Sequence, residues 1–268
     1  MTIRHRRHLL LLALAGCSAS SSCWADDYGH EDLAELSLEQ LADIEVSGVS
    51  RKTERLRDTP ASVYVITGEA IRRSGATTLP EALRLAPNLQ VARIDAQTYA
   101  ISARGFNSNI ANKLQVLIDG RIAYTPLYSG VFWDTHDLLL EDVERIEVIG
   151  GANATLWGSN AVNGVINVIT RSAAATQGGL LMAGGGGEEQ GAALRYGGSV
   201  SDGYYRVYGE GAHQNQTQRE SGDDRGDAWR SGRAGFRVDT GSLTMLGGAY
   251  QGRLDRGGWT MVAFGGSI

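Results

Sequence analysis

The chain has almost no cysteine, very little proline and, past its first thirty residues, no long apolar run. Its two cysteines, Cys17 and Cys23, both fall in a segment that reads as an export signal. If that segment is removed after Ala25, the mature chain has no disulfide, no thiol chemistry and no cysteine metal site. Proline is only 4 of 268 residues, so the 36 glycines do not belong to a Pro/Gly-rich disordered tract. No three-residue glycine period is present, which excludes a collagen-like chain. After residue 30 no apolar stretch approaches the ~20 residues a membrane helix needs, so any membrane contact there must be made by β-structure. The net charge of −5 argues against a nucleic-acid binder.

What is present starts with the signal itself. Arg4, His5, Arg6, Arg7 and His8 form a basic region, and Leu9 to Gly16 form an apolar segment too short to span a bilayer. Two cleavage sites compete. Cys23-Trp24-Ala25 places a small residue before the acidic Asp26 and Asp27, and we favour it; Leu14-Ala15-Gly16-Cys17 has the form of a lipoprotein box. The glycines then divide the chain in two, with 12 in residues 1–170 and 24 in residues 171–268.

Residues 26–58 read as a tail. Ser37-Leu38-Glu39-Gln40 is a capping box opening a short helix. Ile44-Glu45-Val46-Ser47-Gly48-Val49 is extended by composition and precedes a charged run. It can be a linker, or a docking strand that adds to a partner's sheet edge through main-chain hydrogen bonds.

Residues 59–171 carry the signals of a small α+β domain with an ordinary core. Ala61 to Thr67 reads as a buried strand, and Gly68 to Arg73 as a short helix stopped by Ser74-Gly75. Thr78-Leu79-Pro80-Glu81 is a second capping box, whose helix runs to a stop at Pro87. Val116 to Tyr124 is a hairpin in which Asp119-Gly120 supplies the positive φ angles of a type I′ turn. Glu141 to Glu144 is a helical turn leading into a strand at Arg145 to Ile149, and Gly164 to Thr170 is another strand.

Beyond residue 171 the pattern changes to long alternating strands. In residues 190–200, Ala192, Leu194 and Tyr196 face one way, against Gly191, Ala193, Arg195 and Gly197. In residues 204–213, Tyr205, Val207 and Gly209 oppose Tyr204, Arg206, Tyr208 and Glu210. In residues 228–239, Ala234, Phe236 and Val238 oppose Arg233, Gly235, Arg237 and Asp239. One apolar and one polar face over about ten residues is the signature of antiparallel transmembrane β-hairpins. Tight turns at Ser201-Asp202-Gly203 and Asp239-Thr240-Gly241 contrast with a long polar connection from Gln214 to Asp227, as turns and loops alternate between the two ends of a barrel. A soluble sandwich with one wet face is the competing reading of the same pattern.

Other candidate sites are weak. Trp133-Asp134-Thr135-His136-Asp137 brings two carboxylates and an imidazole together, but no second ligand spacing supports a metal there. Gly184 to Gly187 precedes Glu188-Glu189, which repels phosphate, and no Gly-Lys-Ser/Thr follows. His30 and His213 stand alone, no Ser/His/Asp arrangement is visible, and neither an enzyme activity nor a cofactor is assigned.

Several motifs together resemble the plug domain of TonB-dependent outer-membrane receptors. They are Leu79-Pro80-Glu81-Ala82-Leu83, Ile101-Ser102-Ala103-Arg104-Gly105-Phe106, the hairpin at Val116 to Arg121, Val143-Glu144-Arg145-Ile146-Glu147-Val148-Ile149, and the run from Ala154 to Thr170. The resemblance covers about residues 37–171, and the later strands fit the start of the family's barrel. It implies an outer-membrane receptor for a scarce metal complex or vitamin, such as a ferric siderophore, haem or cobalamin, opened by the TonB protein of the inner membrane. It makes residues 44–49 the candidate TonB box and implies that Arg104, Gly105, Arg145 and Glu147 anchor the plug to the barrel. One position departs from the family: Gly150-Gly151-Ala152 replaces its usual Arg-Gly-Pro, so the partner of Arg104 in binding buried barrel carboxylates is missing. The short tail leaves no room for the signalling domain some members carry, so no direct transcriptional signalling is expected.

The fold expected is therefore an α+β plug followed by the first five or six strands, residues 172–268, of an incomplete barrel. The family's 22 strands of ~10 residues need roughly 220 residues, more than twice the length of chain beyond the plug. An open edge leaves unpaired backbone groups in lipid. We accordingly expect a truncated receptor or an incomplete gene product that does not transport alone, the alternative being a periplasmic plug-like module that binds TonB or a ligand.

Overall fold

The computed structural model describes residues 45–46, 54–55, 61–136, 138–151, 157–255 and, for the backbone alone, 260–267. The export signal, the capping box at Ser37, Asp137, Ala152 and all of residues 44–49 except Glu45 and Val46 lie outside the described residues.

The first elements are β1 (Glu45–Val46) and β2 (Glu54–Arg55), which pair antiparallel. The plug follows as β3 (Ser62–Thr67), α1 (Gly68–Ser74), α2 (Leu79–Ala82), β4 (Leu89–Arg93), β5 (Tyr99–Ala103), β6 (Leu114–Ile118), β7 (Arg121–Ile122), β8 (Val143–Gly150) and β9 (Gly164–Thr170). Its helices begin and end where local chemistry dictates. The Thr67 hydroxyl accepts from the Ala70 N–H at 3.2 Å, and Gly75, at φ 70°, ends α1 in the left-handed region. The Thr78 hydroxyl accepts from the Glu81 N–H at 3.4 Å, with Pro80 in the first turn. The helix expected to run on to Ala86 instead tightens into a 3₁₀ turn at Leu83–Leu85. Ala86, before Pro87, is extended at ψ 115°, as the clash of a proline ring with the preceding residue requires.

The plug sheet has the order β3-β8-β9-β6-β7, with β6 and β9 parallel and the other neighbours antiparallel. Asp119 and Gly120 turn between β6 and β7 at φ 48° and 77°, the two positive angles of a type I′ turn. Ile71, Leu79 and Leu83 from the helical side pack with Ile66, Val116, Ile146, Val148, Ile166 and Val168 from the sheet in one buried core. A smaller cluster of Leu117, Ile149, Ala161 and Val165 fills another part of the plug. A second hairpin, β4 with β5, was not foreseen from the sequence; it carries residues 94–98 at its tip.

The remaining strands are β10 (Gly178–Gly185), β11 (Glu189–Val200), β12 (Gly203–Gln214), β13 (Trp229–Thr240), β14 (Leu243–Leu254) and β15 (Thr260–Ser267). They form one antiparallel six-stranded sheet in chain order, which we call the wall. Among the described residues the wall is open at both edges. Its alternation follows the sequence pattern: Leu194, Tyr196, Val207 and Phe236 are exposed on one face, while Arg206 is only 3% exposed on the face turned to the plug. Of the aromatic residues directly opposite a glycine on the adjacent strand, three lie close over it: Tyr205 with Gly198, Tyr208 with Gly235 and Phe236 with Gly247. A Cβ at any of these glycines would lie 2.5–2.6 Å from the ring side chain, so the rings lie across the neighbouring backbone.

Candidate functional site

The polar wall face meets the plug, not water. Arg195 of β11 pairs with the Asp142 carboxylate, which also lies 3.3 Å from the Arg206 Nε of β12. Arg206 donates further to the Arg171 carbonyl at 2.7 Å and the Thr170 hydroxyl at 2.9 Å. Arg237 of β13 donates to the same hydroxyl at 3.0 Å and lies 3.8 Å from the Asp119 carboxylate. Thr170 returns its N–H and hydroxyl to Asp119 at 2.8 and 2.9 Å. The Ala173 N–H donates to Asp239 of β13 at 2.6 Å. Thus Asp119 does more than shape a turn: it ties the turn to β9 beside the wall.

At the end of the wall where the long connection lies, the tip of the β4–β5 hairpin is held by residues 215–228. Asp227 accepts from the Ala96 N–H at 3.1 Å and from Thr217 at 2.6 and 2.7 Å. Burial raises the Asp227 pKa, but these hydrogen bonds outweigh it and leave the carboxyl below its ordinary value. Arg225 donates to the Ile94 carbonyl at 2.8 Å. Trp229 and Tyr250 of the wall pack with Ala96 beneath this contact.

Next to the held tip is a cavity of about 430 Å³ lined by Tyr99, Tyr128, Phe132, Trp133 and Trp229, with Asp134 on its wall. Tyr128 and Phe132 meet edge to face at 5.2 Å. Tyr128 donates its hydroxyl to the Val131 carbonyl at 2.8 Å, which fixes the ring. Burial, then the nearby Glu81 carboxylate, push the Tyr99 hydroxyl well above its ordinary pKa. Burial raises Asp134, which accepts from Tyr250 at 3.4 Å. An aromatic cavity that also carries Gln97, Thr98, Asn109 and Asp134 is suited to holding a small molecule by stacking, apolar contact and a few hydrogen bonds. His136 lies elsewhere at the junction, lowered to about 4 by burial and then by Arg121, so it is neutral at pH 7. No group of three or more metal-ligating side chains exists among the described residues, and Asp134 and His136 do not form one.

The sequence-derived anchoring residues are placed differently from these contacts. Arg145 pairs with Glu147 at 3.0 Å, and the second oxygen of the fully buried Glu147 accepts from Asn167 at 3.0 Å, all within the plug sheet. Arg104, Gly105 and Phe106 follow β5 with three consecutive positive φ angles of 60°, 91° and 56°, and Phe106 is 90% exposed. Among the described residues, the ion pairs from plug to wall, Asp142 with Arg195 and Arg206 and Asp119 with Arg237, place the acids on the plug and the arginines on the wall, the reverse of the polarity the family resemblance implies. The sequence did carry a signal for this, since Arg206 and Arg237 lie on one strand face and fall opposite each other once the tight turns set the register.

Comparison with known proteins agrees with this architecture. Residues 55–165 match the family model described as TonB-dependent Receptor Plug Domain. The vitamin B12 transporter BtuB of Vibrio cholerae serotype O1 is 35% identical over 130 residues, covering 48% of this chain and 20% of that protein. An iron-regulated outer membrane virulence protein of the same species is 36% identical over 121 residues, covering 43% of this chain and 18% of that one. Among solved structures, the ferripyoverdine receptor of the outer membrane of Pseudomonas aeruginosa superposes with a TM-score of 0.60 at 18% identity, over 79% of this chain and 27% of that one. The last likeness is one of fold. The chain spans about one fifth of the length of the curated relatives it matches.

Proposed function

Because this chain belongs to the TonB-dependent outer-membrane receptors, carrying their plug domain on the inner face of a partial barrel wall, we propose that it serves uptake of a scarce solute powered by the TonB protein. The solute is a small metal complex or vitamin. The observation that carries this reading is the aromatic cavity between plug and wall, placed at the end where the long connection clasps the plug tip. A solute arriving from outside meets that cavity first, and the plug closes the route behind it.

In this reading residues 44–49, Ile44, Glu45, Val46, Ser47, Gly48 and Val49, form the TonB box, and TonB gains affinity by strand addition to their backbone. Arg104 and Gly105 serve plug anchoring against strands beyond the six of the wall. Among the described residues both wall edges are open, and the chain spans about one fifth of the relatives' length, which supports a piece of a receptor that needs further strands to transport. Capture of the full chain by the periplasmic domain of TonB tests the reading. We expect Val46→Pro to abolish capture, since proline removes a ladder donor; equal capture of both forms rejects the box.

A further inference from the structure

Besides the aromatic cavity, a space of about 200 Å³ lies between the plug and strands β12–β14. Arg121, Arg206 and Arg233 all line it, together with Asp142, Tyr208 and His136. This concentration of guanidinium groups is unexpected in an acidic chain, and the register makes it costlier: Arg206 stands directly opposite Arg237 on the adjacent strand. Like charges so placed repel.

Oxygen atoms of the plug relieve that repulsion. Asp142 meets Arg195 and Arg206, the Arg171 carbonyl meets Arg206, the Thr170 hydroxyl meets both Arg206 and Arg237, and Asp119 lies against Arg237. On the wall itself, Asp239 pairs with Arg237 at 2.9 Å and Glu210 lies 3.5 Å from Arg233. The seated plug therefore covers the arginines much as a bound anion would. A neutral solute passing between plug and wall would leave Arg206 and Arg237 facing each other with the plug's oxygens withdrawn. Carboxylate or phosphate oxygens would restore charge-assisted bonds by accepting from the guanidinium fork, which donates two at a time.

We propose that this arginine face is a binding site for a multivalent oxyanion, occupied by a carboxylate- or phosphate-bearing solute in place of Asp142 and Asp119 when plug and wall part. The inference rests on the transport reading for its purpose and extends it to the class of solute. The space beside Arg206, about 200 Å³, has room for one such group while the plug is still close.

The test uses the full chain refolded in detergent micelles, with citrate and pyrophosphate as probes and sodium chloride at equal ionic strength as the control. Hydrogen exchange at the Ala173 amide reports seating, because it donates to Asp239 of the wall. We expect one or both anions to speed this exchange about tenfold beyond chloride. Arg206→Gln combined with Arg237→Gln should remove the difference, and Arg206→Lys should keep most of it. Equal exchange in all three salts, or an anion effect that survives the double substitution, overturns the proposal. Should the double variant lose protection at Val148 and Val168 in the plug core, calorimetric titration of the wild type decides: saturable binding of either anion upholds the site and its absence rejects it. A response to citrate alone assigns a carboxylate-bearing solute, and to pyrophosphate alone a phosphate-bearing one. Failure of TonB capture would reject the transport reading and leave the anion result standing.

Discussion

The plug and the wall solve the problem of stability differently. The plug has a core of its own, with Ile71, Leu79 and Leu83 closed over the sheet residues Ile66, Val148 and Ile166. Among the described residues the wall has no comparable core; its buried apolar cluster, Trp229 and Tyr250, is completed by Ala96 of the plug. A single sheet has two faces and no interior, so the wall depends on what covers it: lipid on the side of Leu194 and Phe236, plug oxygens on the side of Arg195, Arg206 and Arg237. The dependence is therefore unequal. The plug should keep its fold when the junction is broken, whereas the wall should not.

The largest effect should come from the junction. Asp142→Asn leaves Arg195 and Arg206 buried without their shared carboxylate, and breaking such a pair costs about 3–5 kcal/mol. Hydrogen exchange should then rise across β11 to β13 while protection of Val148 and Val168 persists; loss of both together would end the distinction between dependent wall and independent plug. Within the plug, Leu83→Ala should cost about 2–5 kcal/mol, whereas Leu194→Ala on the wall's outer face should stay within about 0.5 kcal/mol. Urea denaturation in detergent compares the two, and equal losses would contradict the account of where the core lies.

A pH dependence sharpens the comparison further. The folded pKa of His136, about 4, lies below the ordinary unfolded value. Its contribution is complete above about pH 6.5 and is lost as pH falls toward the folded value, by up to about 3 kcal/mol. Asp134, raised by burial, acts in the opposite sense and offsets part of this. His136→Phe should flatten the fall in the unfolding midpoint between pH 6.5 and 4, and an unchanged slope would remove His136 as its source. The smallest effects belong to local geometry. Gly120→Ala, at φ 77°, should cost about 1–2 kcal/mol, and Thr78→Ala, which removes a helix cap, about 1 kcal/mol. Thermal unfolding of the plug measures both.

Much of the plug was legible because its signals are local. Thr78, Pro80, Gly75 and the Asp119-Gly120 pair each dictate a cap, a stop or a turn within four residues. The wall faces were also legible, since a period of two residues separates Leu194 from Arg195 whatever the strand pairs with. The β4–β5 hairpin was not, because five residues such as Leu89–Arg93 are too few for their alternation to stand out. The junction escaped for a different reason. Arg237 and Asp119 are far apart in the chain, and only the docking of plug against wall brings them within 3.8 Å. The roles of Arg145 and Glu147 were hidden likewise: a charged pair two residues apart on a strand can face outward to a barrel or, as here, be tied to Asn167 inside the sheet.

The rings of Tyr205, Tyr208 and Phe236, each lying over a glycine of the next strand, have a consequence for how the wall assembles. A slip of a strand by two residues keeps every side chain on its proper face, so alternation by itself cannot forbid it. It would, however, carry Tyr208 from Gly235 to Arg233 or Arg237, and Phe236 from Gly247 to Met245 or Ala249. Each of those residues has a Cβ where the ring now rests. The three aromatic residues thus work as keys cut for single notches, and the scattered glycines of the second half of the chain include the notches that let the strands count their own alignment.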